Sequence, residues 1–264
     1  MHDSPDLLHR LSALVTRLRG PDGCPWDREQ EIDDIRAYLL EEAHEVAAAI
    51  DSGNWDEICT ELGDLLFQVV FVARLAEEGS AFELAAIVDR IEAKMVARHP
   101  HVFGDEELPD SAAVHRAWER RKLDDYEEGH SMLAGVPSSL PALLAAYRMT
   151  QKVAGVGFDW SRADEVLDKV EEEIDELRQQ LRATADGDRE AALREELGDL
   201  LFTLANLARH LGLDPEAALA RANEKFRRRF ALMEADLARQ GRSLANSELE
   251  EMEAAWQRAK SSAS

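Results

Sequence analysis

The chain has few of the residues that stabilise secreted proteins or carry a chain across a membrane. It has two cysteines, Cys24 and Cys59, and no CxxC pair, which argues against a disulfide framework and favours a reducing compartment. No apolar run approaches the roughly 18 residues of a membrane helix, and the first residues lack the basic and apolar regions of a signal peptide. We therefore expect a cytoplasmic protein without a membrane partner.

Basic residues are outnumbered by acidic ones. The chain has 31 lysines and arginines against 54 aspartates and glutamates, for a formal charge of −23. Such a surface repels a phosphate backbone, so no nucleic-acid partner is expected. An anionic small molecule would need metal ions or a local basic cluster in order to bind. The hydrophobic share of 45% is too high for a disordered acidic tail, and 264 residues suffice for one large domain or two of ordinary size.

Apolar residues recur at intervals of three and four along most of the chain, which predicts amphipathic helices. One such stripe consists of Ile32, Ile35, Leu39, Ala43, Val46 and Ile50. A break at residues 52–54 precedes a helix that is predicted from about Trp55 to Glu78. The few β-branched residues lie inside these patterns, so the predicted fold class is all-α, with helices packed as bundles.

The second half of the chain repeats the first. The heptapeptide Glu-Leu-Gly-Asp-Leu-Leu-Phe occurs at residues 61–67 and again at 196–202. Each copy follows a Glu-Glu-x-x-Glu motif, at residues 41–45 and 172–176. A repeat over such a long distance indicates one duplicated helical unit, not a stack of short repeats.

Turn-rich segments separate the helices and the two halves. Trp26 and Trp160 follow glycine-rich turns and are expected to anchor those loops onto the core. Glycine, proline and serine accumulate between the halves, which predicts a linker at residues 126–140. The predicted architecture is therefore two tandem helical-bundle domains, at residues 1–125 and 141–264.

The paired glutamates are candidate metal ligands. Glu42 and Glu45 are three residues apart and share one helix face, beside the apolar stripe. Glu61 and Asp64 lie beside the stripe of the following helix. Two helices joined by a short break pack antiparallel, so these four carboxylates should meet at the edge of the core. The second half offers the equivalent set of Glu173, Glu176, Glu196 and Asp199.

Clustered carboxylates repel one another, and their desolvation raises pKa values and costs stability. A divalent cation removes that cost, and oxygen-only ligands suit Mg²⁺, with Mn²⁺ as a substitute, better than zinc or copper. Two other interpretations stay open. About a fifth of the residues are acidic, so each motif taken alone is more typical of a solvated helix face. A di-iron bundle needs Glu-x-x-His, for which Glu41 and His44 supply one instance.

Each heptapeptide also places a glycine in the middle of a helix, which costs about 1 kcal/mol relative to alanine. Close approach of a neighbouring helix or a ligand would explain Gly63 and Gly198, and a plain packing reason would explain them equally well. The leucines around the first glycine, Leu62, Leu65 and Leu66, are expected to hold their helix against its partner.

At these carboxylates the sequence resembles the MazG family of all-α nucleoside triphosphate pyrophosphohydrolases. The family pattern is Glu-Glu-x-x-Glu followed, after a break, by Glu-x-x-Asp. The resemblance covers nearly the whole chain, including the tandem arrangement, and extends to residues 23–27, 99–103, 155–160 and 223–226. One departure is Glu31, where the family pattern leads us to expect threonine.

The resemblance implies Mg²⁺-dependent hydrolysis of a (deoxy)nucleoside triphosphate to the monophosphate and pyrophosphate, in a house-cleaning or nucleotide-pool role. The clustered carboxylates would hold the metal, and Glu172 or Glu41 would accept a proton from the attacking water or hold a further metal. The chain has no P-loop, so positive groups must come from elsewhere. Within the resemblance, the residues that would bind the phosphates and the base or sugar are Lys94, Arg98, Trp118, Lys225, Arg229, Trp256 and Lys260.

Lys169 is a further candidate for substrate binding, because it lies four residues before Glu173 and projects near the predicted metal face. Its counterpart before Glu42 is Tyr38, so the two sites differ, and the second half is expected to be the main one. Bundles of this kind resemble homodimers that complete a four-helix core across an interface. The alternatives are a nucleotide- or metal-binding scaffold without turnover in one or both halves, and a metal-free acidic interaction bundle.

Overall fold

The computed structural model describes residues 4–111, 113–114, 117–118, 121, 131–182 and 189–262, which form helices and turns without a strand. The predicted all-α class is thereby confirmed. The helices of the first half are α1 (Ser4–Arg19), α2 (Pro25–Glu29), α3 (Ile32–Ser52), α4 (Trp55–Glu78), α5 (Leu84–Arg98) and α6 (Pro100–Phe103). Those of the second half are α7 (Ala142–Ala154), α8 (Ala163–Arg182), α9 (Arg189–His210), α10 (Pro215–Arg239) and α11 (Leu249–Ser262).

The chain divides into two compact units, Met1–Glu107 and Leu108–Ser264. Residues 122–130 lie outside the described part, so the domain bounds of 1–125 and 141–264 and the linker at 126–140 stay predictions. Within the described residues, none of the helices combines the length and the apolar character needed to cross a bilayer.

In the first unit, α3 and α4 form the hairpin that the break at residues 52–54 predicts. Gly53 has a φ of 72°, in the left-handed region that glycine enters without steric cost. The Asn54 side chain then accepts a hydrogen bond of 3.1 Å from the backbone N–H of Asp56 and caps α4. These two residues reverse the chain, so α3 and α4 pack against each other along their length.

The core of the first unit joins α1, α3 and α4 and is formed by Val15, Ile35, Val70 and Phe71. The predicted stripe of α3 is buried only in part: Ile35 and Val46 are buried, whereas Ile32 and Ile50 are more than half exposed. The intervals of three and four residues therefore identified the apolar face of α3 correctly, but they did not show how much of that face is buried.

The heptapeptide helices have an open apolar face. Four of their leucines are between 44% and 49% exposed, namely Leu62, Leu66, Leu197 and Leu201. The expectation that Leu62 and Leu66 hold α4 against its partner helix is therefore wrong. A Cβ on Gly63 or Gly198 would meet no atom within 4 Å in the described part of the chain. Close approach of a neighbouring helix of the same chain does not explain these glycines.

A buried arginine fixes the short helix α2. Arg19 donates hydrogen bonds to the backbone carbonyls of Asp27 and Gln30, the latter at 3.1 Å, and forms a salt bridge of 2.7 Å with Glu78. The Arg19 side chain is 8% exposed. Its hydrogen bonds lower the pKa of Glu78 below the ordinary value. Arg19 thus ties α2 to the ends of α1 and α4.

Glu31, where threonine was expected, caps α3. Its side chain accepts a hydrogen bond from the backbone of Asp34, and the Asp34 carboxylate accepts one of 2.9 Å from the backbone N–H of Glu31. This reciprocal pair satisfies two N–H groups that the first helical turn leaves open. Glutamate therefore has a structural role at this position.

The second unit repeats the hairpin with α8 and α9, while α7 packs on α9 and α10 pairs with α11. Val166, Val170 and Ala205 are buried at the hairpin. A separate apolar cluster joins α10 to α11 and consists of Met233, Leu237, Ala255 and Ala259. The carboxylate-bearing helices and the pair that carries the predicted basic residues thus have distinct cores.

Asp159 ties the loop before α8 to the end of α9. Its carboxylate accepts hydrogen bonds from Arg209 and from Nε2 of His210, the latter at 2.9 Å. Burial raises the pKa of Asp159, but the hydrogen bonds from Arg209 and His210 outweigh burial and lower it below its ordinary value. This network was not predicted, because its members lie about 50 residues apart and form no local pattern.

Candidate metal centres

The hairpin of each unit brings three glutamates together. In the first cluster, which we define as Glu42, Glu45 and Glu61, each residue offers a carboxylate oxygen within 4.8 Å of the others. Glu42 and Glu45 are neighbours on one face of α3 because they are three residues apart. Glu61 comes from the facing turn of α4, since the short connection folds the two helices back on each other.

The second cluster, which we define as Glu173, Glu176 and Glu196, has the same arrangement on α8 and α9, again within 4.8 Å. It is better shielded from solvent. The Glu173 side chain is 6% exposed, whereas Glu45 of the first cluster is exposed. Burial matters here because a charge in a drier site interacts more strongly with any cation that it meets.

Three of each predicted set of four carboxylates meet in the structure. Asp64 lies outside the first cluster but close enough to raise the pKa of Glu42. Asp199 is exposed and lies outside the second cluster. Glu41 and Glu172 are also exposed and lie outside the clusters. Their roles as metal ligands or proton acceptors stay predictions.

The first cluster carries uncompensated negative charge. Burial raises the pKa of Glu42, and the neighbouring carboxylates of Glu45 and Asp64 raise it further, while a hydrogen bond with Gln68 opposes them. Burial and the same neighbours raise the pKa of Glu61. Among the described residues, no lysine or arginine forms a salt bridge with these three glutamates.

The second cluster has a cation beside it. Nζ of Lys169 lies 2.8 Å from Oε1 of Glu172 and 3.0 Å from Oε1 of Glu173. Hydrogen bonds to Glu172 and Glu173 raise the pKa of Lys169 well above its ordinary value. Burial raises the pKa of Glu176, and Lys169 lowers it in part. The lysine therefore offsets some of the repulsion among the second set of carboxylates.

The donor set fits a hard divalent cation. Each cluster supplies carboxylate oxygens alone, which is the ligand type that Mg²⁺ and Mn²⁺ prefer. The di-iron alternative needs His44 beside the metal, but His44 is exposed and is part of neither cluster. The observed residues therefore fit the predicted Mg²⁺ better than they fit iron.

We expect Glu42 to lower the stability of the metal-free protein as the pH rises. A carboxyl group whose pKa is raised by folding contributes stability below its ordinary pKa of 4.5 and loses that contribution as the pH rises through its folded-state pKa. The free energy of unfolding of wild type minus that of Glu42→Gln should therefore fall as the pH rises above the ordinary pKa of 4.5. Urea unfolding in EDTA measures this difference.

The control for this experiment is Glu41→Gln, a neighbouring change on the exposed side of α3. The same difference for Glu41→Gln should stay flat across the pH range, because no cluster carboxylate is removed. Added Mg²⁺ should abolish the fall seen with Glu42→Gln, since the cation balances the charge. A flat profile for Glu42→Gln in EDTA would contradict the repulsion that we assign to the first cluster.

Of the predicted basic residues, Lys169 contacts a cluster carboxylate. Lys94 and Lys225 are exposed, and Arg98 and Arg229 are partly buried on the same helix faces. In the part of the chain that the structure describes, no salt bridge joins Lys225 or Arg229 to the second cluster. The phosphate-binding role of these four residues stays a prediction.

The two predicted substrate tryptophans differ in their surroundings. Trp256 packs against the core between α10 and α11, with its ring centroid 5.2 Å from that of Phe226. Nζ of Lys260 lies 5.9 Å from the centroid of the Trp256 ring, close enough for a cation–π contact. Trp118 is partly buried. Contact of either tryptophan with a base or sugar stays a prediction.

Two cavities adjoin the heptapeptide helices and were not predicted from the sequence. One of about 270 Å³ is lined by Trp26 and Phe67, and one of about 230 Å³ is lined by Trp160, Phe202 and Asn206. Trp26 and Trp160 are 62% and 42% exposed, which corrects the expectation that they anchor loops onto the core. The phenylalanine that ends each heptapeptide was the sequence feature that could have indicated these cavities, since it lies at the wall of each one.

These features define a class of protein: an all-α chain of two similar units, each with a carboxylate cluster suited to a hard divalent cation. Residues 30–103 and 162–231 match the family model described as the MazG nucleotide pyrophosphohydrolase domain. The chain belongs to the MazG family. The two matched segments contain the first and second clusters, so each unit carries its own copy of the family's domain.

Curated relatives agree with this membership. The chain is 46% identical over 257 residues to the nucleoside triphosphate pyrophosphohydrolase of Escherichia coli K12, covering 96% of this chain and 97% of that protein. It is 39% identical over 261 residues to the nucleoside triphosphate pyrophosphohydrolase/pyrophosphatase MazG of Thermotoga maritima, covering 98% of each. The predicted family and enzyme class are therefore confirmed.

Proposed function

We propose that this protein hydrolyses (deoxy)nucleoside triphosphates to the monophosphate and pyrophosphate with the help of Mg²⁺, and so controls the composition of the nucleotide pool. The observation that carries the proposal is the second cluster, where buried Glu173 and neighbouring Lys169 combine metal ligands with a phosphate-binding cation. The relatives named above support the reaction class.

The residues of the second unit divide the task between them. Glu173, Glu176 and Glu196 would hold the metal, which when bound neutralises phosphate charge and makes the attacking water more acidic. Lys169 would bind phosphate oxygens through its ammonium group. Glu172, which accepts a hydrogen bond from Lys169 in the free protein, would accept the proton of the attacking water once Lys169 turns to the substrate.

The second unit is proposed as the main site of turnover, because it alone pairs its cluster with a lysine in the described part of the chain. A binding site without turnover is the second candidate function for the first unit, where Tyr38 occupies the lysine position. The test is pyrophosphate release by the purified full chain, with Mg²⁺, from a panel of ribo- and deoxyribonucleoside triphosphates. If none of these triphosphates yields pyrophosphate, the proposed hydrolysis is contradicted and the scaffold function without turnover is favoured.

We also propose that the protein is a homodimer, whose interface covers the open apolar faces of α4 and α9. The half-exposed leucines and the adjoining glycines leave apolar surface open on each of these helices, and removal of apolar surface from water is favourable by about 25 cal/mol per Å², before the cost of association. Light scattering should give the mass of two chains at micromolar concentration. Leu66→Asp with Leu201→Asp should give the mass of one chain.

The control for the dimer is Leu181→Asp, which places the same charge at an exposed leucine that lies outside both heptapeptides. It should leave the mass unchanged. A wild-type mass of one chain would contradict the dimer. Loss of the dimer with Leu181→Asp, but not with the heptapeptide variant, would place the interface elsewhere.

A further inference from the structure

The two metal centres of this chain differ at one position. Lys169 precedes Glu173 by four residues, and Tyr38 precedes Glu42 by four. Residues four apart lie on the same helix face, so each of these side chains is placed beside the first glutamate of its cluster. The surrounding glutamates correspond one to one, whereas this position carries a cation in the second unit and none in the first.

At the second cluster, the ammonium group already neutralises part of the metal site. It lies 3.0 Å from Oε1 of Glu173, within salt-bridge distance of the most buried ligand. The Lys169 side chain is about a third exposed, so it has an open route away from the cluster. A divalent cation that binds at Glu173 must displace this ammonium or tolerate a positive charge a few ångströms away.

At the first cluster, the equivalent residue supplies no charge. Tyr38 packs against the apolar core that includes Ile35 and Phe71. No lysine or arginine among the described residues pairs with Glu42, Glu45 or Glu61. Within the described residues, the repulsion among these three carboxylates is therefore not offset by a basic side chain, and the hydrogen bond between Gln68 and Glu42 offsets it only in part.

We propose that Lys169 acts as a built-in counter-cation of the second cluster, so that the first cluster binds a divalent cation by itself while the second binds its cation together with a nucleoside triphosphate. The phosphates draw the ammonium away from Glu173 and so free this ligand. The identification of the second binding partner as a nucleoside triphosphate rests on the proposed function. The preference of the first cluster for a cation alone does not.

The proposal makes nucleotide and metal binding at the second cluster mutually dependent. If the nucleotide raises the affinity for the metal, the metal must raise the affinity for the nucleotide by the same factor. Lys169 is the source of this coupling, because it competes with the metal for Glu173 and is attracted by the phosphates. Removing the lysine should therefore raise the affinity of the second cluster for the metal in the absence of nucleotide. It should also reduce the factor by which the nucleotide raises that affinity.

The experiment is a titration of the full chain with Mn²⁺ alone, with free Mn²⁺ followed by electron paramagnetic resonance. Wild type should bind one Mn²⁺ tightly per chain, and Glu42→Gln should remove that site. Lys169→Met should create a second tight site, with an affinity about tenfold or more above that of the wild-type second cluster. Adding Glu173→Gln to Lys169→Met should abolish the new site.

Two controls separate a local effect from a general loss of charge. Arg178→Met removes a positive charge from the same helix, where Arg178 pairs with exposed Asp175, and should leave Mn²⁺ binding unchanged. Lys169→Gln provides a second neutral variant, and circular dichroism confirms that each protein is folded. An unchanged Mn²⁺ affinity in both folded Lys169 variants would overturn the proposal.

A second arm adds a triphosphate analogue with a methylene group between the α and β phosphorus atoms, which cannot be cleaved there. It should raise Mn²⁺ affinity at the second cluster of wild type by tenfold or more, and by clearly less in Lys169→Met. If Mn²⁺ alone behaves as expected but the analogue has no effect, the counter-cation role stands and the triphosphate assignment fails. Equal occupancy of both clusters by Mn²⁺ in wild type contradicts the proposal itself.

Discussion

Glu173→Gln should lower the rate of pyrophosphate release by about a hundredfold to a thousandfold. Glutamine keeps the size of the side chain, so the packing of α8 on α9 is preserved. It removes the negative charge of the most buried ligand in the second cluster, whose oxygens lie within 4.8 Å of one another. Neutral amide oxygens hold Mg²⁺ less well than carboxylates, so the metal and the phosphate charge that it balances are both lost.

The measurement is initial-rate pyrophosphate release at saturating Mg²⁺, with the best triphosphate of the panel. Asp175→Asn is the matched control, because it also removes one carboxylate from α8, but at an exposed residue that pairs with Arg178. It should keep the rate within about twofold, in line with the small effect of exposed ion pairs. Glu42→Gln, the equivalent change in the first cluster, should cause the smaller loss of the two glutamate variants.

The outcomes of this comparison are distinct. A wild-type rate for Glu173→Gln would show that the second cluster takes no part in the reaction. Equal losses for Glu42→Gln and Glu173→Gln would show that both units turn over, against the assignment of the main site to the second. Loss of activity together with loss of the helical circular dichroism signal would point to the fold, and Glu176→Gln would then be the variant to assay.

Arg19→Met should lower the free energy of unfolding by about 3 kcal/mol. The arginine is 8% exposed and satisfies two backbone carbonyls as well as the Glu78 carboxylate. Methionine fills similar volume but donates no hydrogen bond, so the carbonyls of Asp27 and Gln30 lose their partner. The guanidinium also lies 5.2 Å from the centroid of the Phe71 ring, and this cation–π contact is lost as well.

Arg74→Met is the control for Arg19. Arg74 pairs with Glu77 and with the same Glu78, but its side chain is about a third exposed. Its removal should cost less than about 1 kcal/mol, as for other solvent-exposed ion pairs. Urea unfolding followed by circular dichroism measures both variants. Equal small costs would mean that Arg19 contributes no more than a surface salt bridge and that α2 is held by other contacts.

Much of the fold followed from local patterns. The break at Gly53 and Asn54, and the helix from Trp55 to Glu78, appear in the structure where the sequence predicts them, because a left-handed glycine and an N-cap act within a few residues. The spacing of Glu42 and Glu45 likewise determined that they share a face. Duplication then carried the same expectation to the second half.

Other features depended on contacts between distant residues. Phe67 and Phe202 end identical heptapeptides, but the walls of the two cavities are completed by residues distant in sequence, which are Trp26 and Tyr38 beside Phe67 and Leu133 and Trp160 beside Phe202. The interval between apolar residues does not reveal which of them a given chain covers. This is why Leu62 and Leu66 were assigned to the interface with the partner helix, although both are left nearly half exposed in the described part of the chain.

The sequence by itself determined the helices, their duplication and the face on which each carboxylate lies, because the 3.6-residue period and the helix breakers act locally. Tertiary structure decided which charges meet. It buried Glu173 and left Asp199 exposed, while Lys225 and Arg229 lie on a helix with a separate core. Burial and charge pairing depend on how helices that are distant in sequence pack, and no spacing along the chain specifies that packing.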